Sequence, residues 1–189
     1  MNTPDIPLPR LRLRDFTGHD LPFVYAGLSH PDVIKHYGIS YDSIDACQLQ
    51  MDWFQSIRRD GTGRWLAIER KDDGQPIGAI GLSSLSREHR CAELGYWLLP
   101  QFWGEGYMRE ALAGFVEYAF RELGLHRIEA EVELDNTASQ KQLAAAGFTL
   151  EGIRRECEMK NGAFLSLAGY ARLSTDPDPR AGRANAAHT

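Results

Sequence analysis

No stretch of this 189-residue sequence approaches the roughly 20 consecutive apolar residues that a membrane-spanning helix requires. The first residues, Met1 to Asp5, have neither the basic segment nor the apolar run of a secretory signal, so a cytoplasmic protein is expected. Cysteine is scarce: Cys47, Cys91 and Cys157 stand far apart and form no CxxC pair, which argues against a disulfide framework or a zinc site. The six histidines show no HxxxH spacing, and no metal is expected. An excess of positive charge is also missing. The formal net charge is -5, which argues against a nucleic-acid partner held by phosphate neutralisation.

What the chain does have is a globular composition. Hydrophobic residues make up 43% and charged residues 25%, enough for a core and too apolar for intrinsic disorder. No internal repeat or long linker divides the sequence, so one domain over residues 1–173 is expected. From Ser174 the chain turns rich in Pro, Ala and Asp without periodicity, and a flexible tail is expected over 174–189.

Alternation at Arg10–Arg14 predicts a strand, and residues 18–59 read as helical pieces broken at Pro22, Pro31 and Gly38. Trp65–Arg70, Ile77–Leu85 and Ala92–Leu98 then read as antiparallel strands, the first two joined by the turn Lys71-Asp72-Asp73-Gly74. The period changes at Tyr107. Apolar residues recur there at helical spacing as far as Leu123, with Gly124 placed to end the helix. Arg127–Val132 reads as a strand and Thr137–Ala146 as a short helix. Phe148–Met159 and Phe164–Arg172 read as a hairpin turned at Asn161-Gly162.

The stretch Leu98-Leu99-Pro100-Gln101-Phe102-Trp103-Gly104-Glu105-Gly106-Tyr107 runs from a strand through two closely spaced glycines straight into the long helix. Such glycines let backbone N–H groups converge, and a helix N-terminus adds free donors and partial positive charge, which together suit an anion such as a pyrophosphate. A tight strand-to-helix turn with no ligand would need the same glycines. No Gly-Lys-Ser/Thr follows, which excludes a P-loop, and there is no Rossmann fingerprint.

Gln101-x-x-Gly104-x-Gly106 resembles the (Arg/Gln)-x-x-Gly-x-(Gly/Ala) motif of the GNAT acyltransferases. Trp103 to Tyr107 followed by Glu110-Ala111-Leu112 is similar to the WGKGYATEAL stretch of the RimJ/RimL-type ribosomal-protein Nα-acetyltransferases. Pro31-Asp32-Val33, Ile77-Gly78, Glu93–Trp97, Asn136-x-x-Ser139 and Gly147-Phe148 fall in that subfamily's order, so the resemblance spans about Arg10 to Leu173.

The resemblance implies an α+β GNAT fold: a mostly antiparallel sheet of about six or seven strands, about four helices, and splayed central strands holding acetyl-CoA. It implies that Gln101, Phe102, Trp103, Gly104, Glu105, Gly106 and Tyr107 hold the CoA pyrophosphate. Leu98 and Leu99 would pair with the pantetheine arm, Asn136 would hydrogen-bond it, and a backbone N–H near Leu98 would polarise the thioester. Many GNAT enzymes protonate the departing thiolate with a tyrosine seven residues after the asparagine; here that position is Leu143. The subfamily pattern implies Ser139 for that role and Glu158 as base, with Glu93 as a rival acting through water. Each has a plain alternative: Ser139 as a helix-start serine, Glu158 on a solvated strand face, Glu93 paired with an arginine.

Acceptor binding is expected in residues 25–38 and 51–63, through Tyr37 and Trp53. Tyr170 would bound the acceptor or fill the core. Ser166 stands where many family members carry aspartate. No cysteine lies in a motif with His and Asp, so direct transfer is expected rather than an acyl-enzyme. The implied acceptor is a protein or peptide α-amine, with a small-molecule amine as the alternative and a catalytically silent acyl-CoA sensor as the non-enzymatic one. A homodimer is also an expectation of the resemblance.

Overall fold

The computed structural model describes residues 5–179. In chain order they form β1 (Ile6–Pro7), β2 (Leu11–Arg14), α1 (Leu21–Leu28), α2 (Pro31–Ile34), α3 (Ile44–Asp60), β3 (Arg64–Arg70), β4 (Pro76–Ser86) and β5 (Cys91–Leu98). Then follow α4 (Tyr107–Arg121), β6 (Arg127–Glu133), α5 (Thr137–Ala145), β7 (Thr149–Lys160) and β8 (Ala163–Leu173). The strands make one sheet in the order β1-β2-β3-β4-β5-β6-β8-β7. Every neighbour pair is antiparallel except β5–β6. The sheet therefore has eight strands rather than six or seven, and five helices rather than four. The extra strand, Ile6–Pro7, is a two-residue edge piece too short to show alternation.

Helix α4 forms because its apolar stripe faces the sheet. Ala111, Leu112, Phe115, Val116 and Ala119 are all buried, and burying each large side chain contributes roughly 1.5–3 kcal/mol. Pro22 does not break α1. It sits in the first turn, where a missing N–H costs nothing. Ser43 starts α3 by accepting the Ala46 N–H, and Gly61 ends it in the left-handed conformation. The predicted Asn161-Gly162 turn is present, both residues at positive φ and flanked by the Lys160–Ala163 pair.

On the α3 face of the sheet, Trp65, Gly81 and Gly95 stand in one cross-strand row. A Cβ on Gly81 would come within 2.2 Å of the Trp65 ring and one on Gly95 within 2.7 Å, so the indole lies flat across β4 and β5. Of the predicted tail, Ser174 donates its N–H to the His126 carbonyl and Asp176 accepts the Leu173 N–H. Residues 180–189 lie outside the described residues. Among the described residues, no helix is long and apolar enough to cross a membrane.

Candidate active site

The site begins where two strands part. β5 and β6 pair only at Cys91–Arg127, Ala92–Ile128 and Glu93–Glu129. Beyond Glu93 the two strands continue without pairing, β5 to Leu98 and β6 to Glu133. The Leu99 N–H donates to the Ile77 carbonyl on the β4 side. Strand alternation then turns the N–H groups of Tyr96 and Leu98 toward the gap. The Leu98 carbonyl there already accepts the Trp103 indole N–H at 2.8 Å, which pins the following loop to the end of β5. What stays open is a short strand edge of the kind an extended amide-bearing arm can pair with.

At the mouth of the gap the loop makes a turn of helix at Pro100–Phe102 and passes through Gly104 and Gly106, at φ 81 and 77. Only glycine adopts this left-handed conformation without strain. A Cβ on Gly104 would meet nothing within 4 Å, so the requirement there is conformational rather than steric crowding within the chain. Gly106 caps α4 without a side chain, which leaves the first-turn N–H groups of the helix free. Arg10 braces the loop from behind: its backbone N–H and Nε donate to Glu110, Nη1 donates to the Glu105 carbonyl, and its guanidinium lies 4.6 Å from the Tyr107 ring centre. Phe102 is buried and carries the Arg70 guanidinium on its ring, while Gln101 and Trp103 are exposed.

The opposite wall is the start of α5. The Asn136 side-chain oxygen accepts the Ser139 N–H at 3.1 Å, so half of the carboxamide is spent on capping and its NH2 is the part left for a ligand. The Ser139 hydroxyl lies 2.7 Å from the hydroxyl of Tyr96. Tyr96 was not singled out in the sequence. Burial pushes its phenol up to about 12, so it is a neutral O–H donor throughout the physiological range. Tyr170 is buried and donates to Gln140 on this same α5 side.

Glu93 marks the vertex where the strands part, on the face shared with Gly95 and Trp97. Although exposed, its carboxyl is raised above the ordinary range, first by burial between its neighbours and then by the like charge of Glu131. Along β6 the next carboxylates are all paired: Glu129 with Arg127, Glu131 with Arg154, and Glu133 with Lys160. Glu93 has no ion-pair partner among the described residues. Glu158 lies elsewhere, exposed on the outermost strand β7 opposite Leu165 and without an ion pair among the described residues.

Of the expected acceptor residues, Trp53 is half-buried against Phe54 and Trp65 on the α3 face. Tyr37 follows α2, and burial raises its phenol well above the usual range. One group that spacing alone did not show is His36, Glu133 and Asp135, whose ligand-capable atoms lie within 4.8 Å of one another. Glu133 is already held there by His36 at 2.9 Å and by Lys160.

A strand pair that opens toward a left-handed glycine loop on a helix start is the decisive geometry, and a model of the acetyltransferase (GNAT) domain matches residues 10–149. The chain belongs to the GNAT acetyltransferases. The uncharacterized N-acetyltransferase YoaA of Bacillus subtilis (strain 168) is 37% identical over 170 residues, covering 89% of this chain and 96% of YoaA. The ribosomal-protein-serine acetyltransferase of Escherichia coli (strain K12) is 27% identical over 117 residues, 62% of this chain and 64% of that protein. Among solved structures, the RimL ribosomal L7/L12 α-N-protein acetyltransferase superposes with a TM-score of 0.83 at 21% identity, covering 92% and 96% of the two chains. A Vibrio cholerae spermidine N-acetyltransferase in complex with CoA and spermine gives 0.80 at 23% identity, covering 88% and 97%. These two likenesses show the shared fold.

As a GNAT enzyme the protein takes acetyl-CoA as its acyl donor. The residues present fit that molecule: an unpaired strand edge, two left-handed glycines and an uncapped helix start follow one another along the chain. Glycine-loop donors suit the pyrophosphate, and the edge of β5 suits the amide-bearing arm.

Proposed function

We propose that this GNAT enzyme acetylates the α-amino group of a protein or peptide in the cytoplasm, by direct transfer within a ternary complex. Acetyl-CoA supplies an activated acyl thioester. A C–N bond forms as the C–S bond breaks, one proton leaves the amine, and one reaches the departing sulfur. Glu93, at the vertex and with its carboxyl raised, is a better base than an ordinary glutamate and accepts the amine proton directly or through one water. The Tyr96–Ser139 hydroxyl pair, on the α5 side, supplies the proton to sulfur. Glu93 is therefore assigned the role in preference to Glu158, which stands three strands away from β5 on the outermost strand.

The observation that carries the acceptor class is that, among the carboxylates β5 and β6 present on this face, Glu93 alone has no ion-pair partner among the described residues. β6 presents three further glutamates on this face, and each already holds an arginine or a lysine. One carboxylate without a counter-ion suits one ammonium group; a polyamine needs several. The relatives' names include both a ribosomal-protein-serine acetyltransferase and a spermidine acetyltransferase. The charge pattern here favours the protein class. Thiol release from acetyl-CoA should therefore be saturable with peptides bearing a free N-terminus and absent with the same peptides blocked at that end. Release with spermidine alone would overturn the assignment.

The hydroxyl pair has its own test. Tyr96→Phe and Ser139→Ala should each lower kcat by about tenfold to a hundredfold, since loss of either hydroxyl breaks the hydrogen-bonded pair. The double substitution should cost less than the sum of the two in free energy, because the hydroxyls act as one unit. Dissociation constants for acetyl-CoA should change little. Glu158→Gln should leave kcat within about twofold, as expected for a surface side chain outside the machinery.

A further inference from the structure

At the end of the sheet away from Leu98 and the glycine loop, β3, β5 and β6 begin. A cavity of about 700 Å³ opens there between the C-terminal ends of α3 and α4 and the β4–β5 connection. Five arginines line it, Arg58, Arg59, Arg64, Arg87 and Arg90, against one carboxylate, Glu122. In a chain with a net charge of -5, that local concentration of positive charge needs a reason.

Helix ends account for part of it. Arg58 and Arg59 fall in the last turn of α3, where cations complement the exposed carbonyls, and they pair with Asp15 and Asp60. Arg87 and Arg90 do not fit that explanation. Both stand exposed on the β4–β5 connection, and neither has a carboxylate partner among the described residues. Arg90 donates its Nε–H to the Gly124 carbonyl at 2.7 Å, which holds it at the rim and leaves its terminal N–H groups open.

The inner wall is the more telling feature. Arg64 is 8% exposed, and its Nη2 reaches Asp15 only at 3.3 Å. Its Nε is buried without a hydrogen-bond partner among the described residues. A buried guanidinium N–H with no acceptor is costly and is normally satisfied by a ligand, a water or a side chain.

We propose that this cavity is a second ligand site, for a small oxyanion carrying two or more negative charges, bound between Arg87, Arg90 and Arg64. Guanidinium forks match phosphate and carboxylate oxygens in pairs, and arginines approaching from a rim and from an inner wall fit a compact multivalent anion better than an extended chain. Nothing in this assignment depends on the acceptor or on the roles of Glu93, Tyr96 and Ser139.

The test uses protein saturated with acetyl-CoA, so that the glycine loop is filled, titrated calorimetrically at low salt with pyrophosphate and, separately, with citrate. Saturable binding of at least one probe is expected, with affinity at least tenfold weaker in Arg87→Ala/Arg90→Ala and acetyl-CoA affinity unchanged. Preference for pyrophosphate would mark a phosphate site, and preference for citrate a polycarboxylate site. Amide resonances of Gly61, Gly63 and Gly124 should shift on binding, and those of Gly104 and Gly106 should not. Arg87→Glu alone provides the same comparison should the double variant fold poorly. Absence of saturable binding of both probes, equal affinity in wild type and variant, or shifts confined to the glycine loop would overturn the proposal.

Discussion

Replacing Glu93 by glutamine is expected to lower kcat by two to three orders of magnitude while raising the melting temperature at neutral pH. Both effects have one cause. Burial and the neighbouring Glu131 charge disfavour the ionised carboxyl and raise it above the usual range. In the folded protein the ionised form is therefore a liability for stability and an asset for catalysis, because a raised carboxylate is a stronger base. The direction with pH follows from that. A carboxyl whose folded pKa lies above its unfolded value binds its proton more tightly in the folded state, so its penalty is present above the folded pKa and absent below the unfolded one. The stabilising effect of Glu93→Gln should accordingly be seen at pH 7 and vanish as pH falls through the carboxylate range. The acid limb of kcat in the wild type should lie above that of an ordinary glutamate and should be lost in the variant. Melting curves and pH–rate profiles of the two proteins check all three points. An unchanged acid limb in the variant would remove Glu93 from the role.

The second large effect is on binding. Gly104→Val should weaken acetyl-CoA by about a hundredfold, since a β-branched residue at φ 81 is strained by about 1–3 kcal/mol and the loop escapes by turning its N–H groups away. Strain alone could act through general instability, so a control is needed. Gly74 also has a positive φ, 68, with open space at its Cβ, but lies in the β3–β4 turn. Gly74→Val should cost comparable stability and leave acetyl-CoA affinity unchanged. Equal losses in both variants would mean that the glycine loop has no special part in holding the nucleotide.

Much of this was legible in the chain because the signals are local. The α4 stripe, the Asn161-Gly162 turn and the glycine pair of the loop each rest on residues close in sequence, and each appears where expected. Pro22 was misread because a proline in the first helical turn and one that breaks a helix look alike without the boundary. Tyr96 escaped notice because its partner, Ser139, is 43 residues away and reaches it only through the packing of α5. Alternation along β5 gives the face on which Glu93 lies. It cannot show that β6 pairs with β5 no further than Glu129, which is what makes Glu93 the vertex of the gap. Nor can it show which of the β6 glutamates are already paired. Trp65 read as an ordinary strand residue, yet the glycine row makes it the flat wall against which Trp53 packs.

The central claim is direct transfer of acetyl from CoA to an amine held beside Glu93. One measurement tests it most directly: a single-turnover reaction with equimolar acetyl-CoA and a peptide bearing a free N-terminus, followed by thiol titration and mass spectrometry of peptide and protein. Stoichiometric thiol release, acetyl on the peptide α-nitrogen and a protein of unchanged mass are predicted. Acetyl retained on the protein, or bound acetyl-CoA left intact with every free-amine peptide, would contradict it.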